Sequence, residues 1–346
     1  RRGNQMRYAN FPGCSASTTG KAYTESFSFV ARRAGIDIDE VPDWNCCGAS
    51  AGRLQSDDLG DALPARSLAN AEAAFGDEPV LALCAGCYSN LRRALVHARE
   101  SEDRRRQIEA LIGQPYEAKA DVVCGIDPFL EPETAHAVKA RVTQPLNGLK
   151  VACYYGCALV RPRALTDFDD EENPQSMETV VKLAGADPVE WGRKTECCGA
   201  SHHVSNPAAM KPLVERILAD AIDAGAEAIA TACPLCNMNL DMREAEINKA
   251  RAARGEAPLD IPVYFFTQLL ASAMGASDAE AGIARNFVPA GALLAEAKTR
   301  EVVVELTPEE KKAARIAAAK KQAAARKAAQ ADAAAAPAEA KEATHE

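Results

Sequence analysis

The chain has 346 residues, 47% of them hydrophobic, enough to bury the cores of two domains of ordinary size. Its 49 acidic residues outnumber 40 basic ones, and the net charge of −9 speaks against a nucleic-acid-binding surface. No apolar run approaches the ~18–20 residues that span a bilayer, and the opening RRGNQMRYANF lacks a secretory signal's apolar stretch, so a cytoplasmic protein is expected, starting at Met6 and membrane-associated only through partners.

In chain order, MRYANFPG reads as a strand ending in Gly13-Cys14, and a helix should follow from about Lys21 to Ala34. DWNCCGAS sets Cys46 beside Cys47, with Gly48 next. PVLALC is a short apolar run suited to a buried parallel strand. It leads through Cys84-x-x-Cys87 into the helical pattern YSNLRRALVHARE. LKVACYYG repeats the first strand and ends in Gly156-Cys157, and TECCGAS repeats the pair as Cys197-Cys198-Gly199. AIATAC repeats the apolar run, and Cys233-x-x-Cys236 leads into NMNLDMREAEINKARAA, with Pro234 suited to a first helical turn. Alternation of strand and helix continues through Ile261–Met274, so the fold class is α/β. After Thr307, an N-cap candidate, residues 308–330 carry seven Lys or Arg against two Glu. This Ala- and Lys-rich stretch reads as a solvated tail, with docking on an acidic partner as its functional alternative.

The echoes amount to an internal duplication of about 145 residues, too long for a solenoid repeat. It predicts two half-domains, 6–145 and 146–295, related by a pseudo-twofold, each with a small parallel sheet flanked by helices, followed by the tail 305–346. Twelve cysteines in a chain of the reducing cytoplasm point to metal binding or redox work rather than disulfides. Ten fall into two matching sets of one lone cysteine, one adjacent pair and one CxxC. A tetrahedral zinc site needs four ligands, usually from two knuckles, and adjacent cysteines do not easily join one small tetrahedron because neighbouring side chains diverge. They reach two irons of a larger cluster readily. A cubane takes four thiolates, so a fifth suggests a more open cluster. Tyr88 and Asn237 stand where CxxCH would need histidine, which excludes haem attachment. A thioredoxin-like dithiol would leave the adjacent pairs idle.

The motifs YANFPGCS, DWNCCGAS, LPARSLANAE, CAGCYSNL, VACYYGCALVRP, FDDEENPQSM, KTECCGAS and CPLCNMNLDMR, spread over residues 6–290, resemble the CCG-domain family and within it the B subunit of heterodisulfide reductase. The resemblance implies two non-cubane [4Fe–4S] clusters with five cysteine ligands each. The first would take Cys14, Cys46, Cys47, Cys84 and Cys87, and the second Cys157, Cys197, Cys198, Cys233 and Cys236. Gly48 and Gly199 would let backbone pass close to the clusters. A disulfide or sulfur-carrier substrate would sit between the clusters, to be reduced, or formed from thiols in reverse. Electrons would originate in a flavin-containing subunit. They would arrive through a ferredoxin-like iron–sulfur subunit. Because clusters deliver single electrons, a lone cluster would strand a thiyl radical, whereas one per sulfur avoids it.

The alternative is an electron-relay subunit of another CCG-containing dehydrogenase, such as the glycolate oxidase or non-classical succinate dehydrogenase type. Such proteins tend to carry CxxCxxCxxxC motifs, and this sequence has none. A third alternative gives one cysteine set to zinc. No GxGxxG follows a strand, so no nucleotide site is expected. Cys124 and Cys153 are expected to be packed thiols. His202 and His203 read as loop residues, with proton donation to a product thiolate as their functional alternative. Trp44 and Trp191 are expected to shield the cysteine sets, and FDDEENP to be a solvated loop, with a domain-crossing or partner-facing loop as its alternative.

Overall fold

Two parallel four-stranded sheets, one from each half of the sequence, organise the chain. The structure, a computed structural model, describes residues 6–301; the tail at 305–346 lies outside the described residues. The first half runs β1 (Met6–Phe11), α1 (Lys21–Ala34), β2 (Ile36–Glu40), α2 (Ala49–Gln55), α3 (Asp57–Phe75) and β3 (Val80–Ala82). It continues through α4 (Ala85–Glu100), α5 (Glu102–Ile112), β4 (Val122–Cys124), α6 (Asp127–Leu130) and α7 (Pro132–Lys139). The second half runs β5 (Lys150–Tyr154), α8 (Arg163–Thr166), α9 (Ser176–Leu183), β6 (Asp187–Pro188), a 3-10 turn (Ala200–His202) and α10 (Pro207–Asp223). It closes with β7 (Ala228–Thr231), α11 (Pro234–Ala253), β8 (Val263–Phe265), α12 (Phe266–Ala273) and α13 (Gly291–Ala297).

The sheet orders are β2-β1-β3-β4 and β6-β5-β7-β8, and every adjacent pair is parallel. The α/β fold is thus one topology written twice. Parallel strands need crossovers, and the helices that supply them cover the sheets. That is why β3 and β7 are fully buried along their length. Local signals set the helix ends. Arg32 and Arg33 occupy the last turn of α1, and Gly35 ends it at φ 79°. The side chain of Ser56 accepts the Leu59 N–H at the start of α3, with Asp57 and Asp58 in the first turn. The helix expected over 21–34 has those bounds. The two helices expected after the CxxC motifs begin a turn earlier, because Cys84 and Cys233 are themselves the N-caps.

The halves share one core. Tyr23 of α1 stacks on Phe265 with ring centroids 4.6 Å apart, and Phe129 lies edge-on to Phe27 at 5.5 Å and to Phe266 at 5.8 Å. Beside them the hydroxyls of Ser26 and Thr267 are hydrogen-bonded at 2.7 Å, and Arg285 reaches Glu25 at 2.9 Å. A second seam is made by the FDDEENP segment. Its Asp169 carboxylate accepts the N–H groups of Gln175 and Ser176 and the Ser176 hydroxyl. Thus fixed, the segment sets Phe168 edge-on to Tyr88, whose hydroxyl donates to Thr166 O at 2.6 Å. The stretch read as a solvated loop therefore also clasps the first half.

Phe27 is fully buried at this junction, so Phe27→Ala should lower unfolding free energy by about 3–5 kcal/mol, read by chemical denaturation. Cys153 is also fully buried; Cys153→Ser should cost about 1–2 kcal/mol through its unmet hydroxyl.

Candidate functional site

In a sheet ordered 2-1-3-4, successive crossovers leave in opposite directions between β1 and β3. That switch point opens a crevice at the carboxyl ends of the strands. Cys14 follows β1, Cys46 and Cys47 follow β2, and Cys84 and Cys87 follow β3, so all five emerge at that end. Cys157, Cys197, Cys198, Cys233 and Cys236 follow β5, β6 and β7 in the same way.

Each cysteine is placed by a turn that needs its neighbours. Gly13 and Gly156 both have φ of 68°, and a Cβ on either would lie 3.1 Å from the sulfur of Cys87 or Cys236. Only glycine lets the strand end pass so close to the thiol beyond it. Gly48 and Gly199, at φ 78° and 75°, turn the backbone amides back over the adjacent cysteines. The N–H groups of Gly48 and Ala49 face Cys46 and Cys47. Gly199 N–H donates to Cys197 Sγ at 3.3 Å, and Ala200 N–H faces Cys198. At the helix starts, the Cys87 N–H faces Cys84, and those of Cys236 and Leu235 face Cys233. These are orphan donors of a first helical turn, which favour negative sulfur.

The sulfurs gather accordingly. Cys47 and Cys87 are 3.4 Å apart, and Cys198 and Cys236 3.6 Å. The two CxxC turns approach each other across the junction, where a Cβ on Gly86 would lie 4.0 Å from Leu235 Cδ1, and Cys84 and Cys233 shift each other's pKa in opposite directions, Cys84 up and Cys233 down. Bonds from Cys46 and Cys87, then from Ala49 N–H and Asn90, pull the Cys47 thiol far below its usual pKa, to about 3. The bond from Cys157, aided by Gly199 N–H, brings Cys197 to about 6. Their partners Cys46 and Cys157 move up, each chiefly through its bond to the neighbouring thiolate. Each set thus holds thiolate at some positions, Cys47 in the first and Cys197, Cys198 and Cys233 in the second, and pushes their sulfur partners Cys87 and Cys236 up; thiolate is the form that binds metal. Among the described residues no three Cys, His, Asp or Glu side chains close on one point as a single metal ion requires. Soft donors in such number, opposed by backbone N–H groups and spread beyond one tetrahedron, fit a multi-iron cluster.

Where the halves meet lies a cavity of about 460 Å³, walled by the second set, Cys157, Cys197, Cys198, Cys233 and Cys236, and from the first half by Ala85, Gly86, Ser89 and Asn90, which neighbour Cys84 and Cys87 but leave the first-set sulfurs outside its lining. His203 lines it, its Nδ1 2.9 Å from Ala200 O, while His202 is exposed on the preceding turn. Trp44 packs edge-on to Phe11 at 5.7 Å, and Trp191 lies 6.2 Å from Tyr154, each beside the strand that precedes a Gly-Cys turn. Cys124 and Cys153 are buried on β4 and β5.

Two residues of the site escaped the sequence reading. Asn90 donates to Cys47 Sγ at 3.7 Å and to Ala49 O at 3.1 Å, and Asn239 donates to Cys198 O at 2.7 Å. Their signal was present in both halves, as the asparagine three residues beyond each CxxC. A further support is the buried pair Lys194–Glu178, at 2.7 Å, with Glu178 also taking the Tyr155 hydroxyl. Lys194 O accepts the Tyr155 and Gly156 N–H groups and so fixes the turn into Cys157.

The cysteine-rich domain CCG matches residues 8–92 and 151–241, one copy in each half. The chain belongs to this family. Among its CCG relatives is the 8-methylmenaquinol:fumarate reductase membrane anchor subunit of Wolinella succinogenes, 32% identical over 83% of this chain and 98% of that protein. Another is the B subunit of the ferredoxin/F(420)H(2)-dependent CoB-CoM heterodisulfide reductase of Methanosarcina acetivorans, 28% identical over 80% of this chain and 92% of that protein. The fold is shared with a solved hypothetical protein from Helicobacter pylori, at a TM-score of 0.63 and 13% identity, over 82% of this chain. This chain covers 52% of that structure. The related CCG proteins are subunits of oxidoreductase complexes. Among the described residues no helix is long and apolar enough to cross a membrane.

The CCG turns yield a graded prediction. Gly35, at φ 79° with nothing within 4 Å of its Cβ position, reports strain alone, and Gly35→Ala should cost about 1–2 kcal/mol. Gly13→Ala and Gly156→Ala carry the same strain and also displace a cysteine sulfur. Each should lower the denaturation midpoint further than Gly35→Ala does; equal losses would refute the close-approach reading.

Proposed function

We propose that this chain is the iron–sulfur subunit of a heterodisulfide-reductase-like complex, interconverting a disulfide and two thiols. The observation that carries the reading is one cavity walled by the second cysteine set and by the first-half residues Ala85, Gly86, Ser89 and Asn90 that flank the first CxxC. Cys14, Cys46, Cys47, Cys84 and Cys87 would hold one non-cubane [4Fe–4S] cluster, and Cys157, Cys197, Cys198, Cys233 and Cys236 the other. When bound, the clusters supply electrons singly, one for each sulfur of the disulfide.

The chain's own residues supply position and protons. Ala85 and Leu235 give the cavity apolar wall against which a disulfide packs. Cleavage takes up two electrons and two protons and yields two thiols. Because His203 Nδ1 is bonded to a carbonyl, it carries the hydrogen, and Nε2 is left to exchange a proton with a sulfur in the cavity. The electrons would enter from a ferredoxin-like iron–sulfur subunit, itself fed by a flavin-containing subunit. A second reading, an electron relay in a fumarate-reductase-related complex, is favoured by the 98% coverage of the Wolinella succinogenes anchor subunit.

One experiment separates the two. Purified without oxygen, the protein should hold about eight irons and little zinc. Cys47→Ser and Cys198→Ser should each lose about half the iron and nearly all disulfide turnover. The double variant should be scarcely slower, since parts acting as one unit are non-additive. Cys153→Ser should keep iron and turnover. If only one of the two ligand variants loses turnover, the other set is a relay and the second reading holds.

A further inference from the structure

Beside the cysteine sets stand two arginines that have no carboxylate partner among the described residues, one of them where an unmet charge is costly. Arg93, on α4, is only 5% exposed. Its Nη2 donates to Asn90 Oδ1, while its Nε and Nη1 are buried with no partner among the described residues. Burial first, and Arg53 at the end of α2 second, push its pKa down. Asp61, Cys47 and Asp57, in that order, favour its charge from nearby, but Asp61 is already bound by Arg104 and His97, the Cys47 sulfur is engaged by Cys87 and Asn90, and Asp57 makes no ion pair among the described residues. A buried guanidinium with two unmet donors, repelled by a second guanidinium, is an arrangement that folding alone disfavours.

Both arginines line an open groove of about 610 Å³, together with Ser89, Cys157, Ala158 and Leu165. Ser89, Cys157 and Ala158 also line the cavity where the halves meet, so the two spaces adjoin. Arg161, on the same groove, is engaged with Glu172 and Thr195.

We propose that Arg93 and Arg53 form an anion subsite, which takes the carboxylate, sulfonate or phosphate end of the sulfur compound whose reactive end lies beside Cys157. A guanidinium's planar donor fork suits two oxygens of one such group; the exposed Arg53 presents one on the groove, and the covered Arg93 adds a second positive charge. Arg93 is recessed, so a small molecule's end approaches it where a flat protein surface does not, and Leu165 and Ala158 meet the apolar stem between the two ends. The substrate class rests on the disulfide reading above; the anion subsite does not.

The test is calorimetric titration of the anaerobically purified, cluster-loaded protein with adipate, butane-1,4-disulfonate and inorganic phosphate, which rank the head group. Arg53→Gln and Arg93→Gln should each weaken the tightest of these at least tenfold. Arg53→Lys should stay within threefold, and Arg163→Gln, exposed on α8 outside the groove, should bind as the parent does. Arg93→Gln should also melt at a higher temperature than the parent, because it removes an uncompensated buried charge; a purely structural arginine would do the opposite. If Arg93→Gln does not fold, the exposed Arg53→Gln decides. In turnover, both variants should raise KM for dithiodipropionate and leave it unchanged for neutral bis(2-hydroxyethyl) disulfide. No anion binding by the parent, or unchanged binding in both variants, overturns the proposal. So does loss of an acidic protein partner with anion binding intact. If neither disulfide turns over yet the titrations lose affinity as stated, the subsite stands and the disulfide reading fails.

Discussion

Parallel strands all deliver their carboxyl ends to one edge of a sheet, and most of what distinguishes this protein follows from that polarity. Ten thiols, several of them driven toward thiolate, would repel one another on any other surface. At the carboxyl edge they meet a dense supply of unpaired donors. First helical turns at Ala85 and Pro234 offer amides, and the left-handed Gly48 and Gly199 turn more amides inward. Negative sulfur is held because backbone N–H groups, which carry no counter-charge of their own, surround it. Among the described residues no lysine or arginine hydrogen-bonds a cysteine sulfur, and Arg93 acts on Cys47 only through space.

The same polarity accounts for the duplication's form. Each sheet is too short to bury itself, and its helices leave apolar faces that need cover. Tyr23, Phe27 and Phe129 from one half interleave with Phe265 and Phe266 from the other. This core brings the two carboxyl edges together closely enough for Gly86 and Leu235 to line one cavity. The paired devices recur at equivalent places: glycine before the lone cysteine, an aromatic against a tryptophan, and an asparagine one helical turn past the CxxC.

The sequence disclosed the repeat, the strands β1, β3, β5 and β7, helix α1 and the grouping of the cysteines, because each leaves a local mark: an apolar run, a Gly-Cys ending, a fixed spacing. It was silent on β6, whose two residues Asp187 and Pro188 have no strand character and pair only because β5 lies beside them. Helix α3 was missed because its apolar residues are mostly alanine, with Pro64 inside, and its buried face shows little contrast with the exposed one. Within the site, the adjacent pairs and CxxC motifs announced themselves by repetition. Asn90 and Asn239 repeated too, but an asparagine carries no expectation of bonding sulfur. Arg93 could not have been read at all, since its oddity is the absence of partners, a property of packing and not of order along the chain.

The halves are nearly equivalent in backbone, but their charge is not. The positions that correspond to Arg53 and Arg93 in the second half are Val204 and Met242. On the anion-subsite proposal, a molecule lying across the junction meets two guanidinium groups on the first-half side that have no counterpart at the matching positions of the second. The pseudo-twofold is then broken in recognition, and an unsymmetrical molecule has one preferred direction of entry.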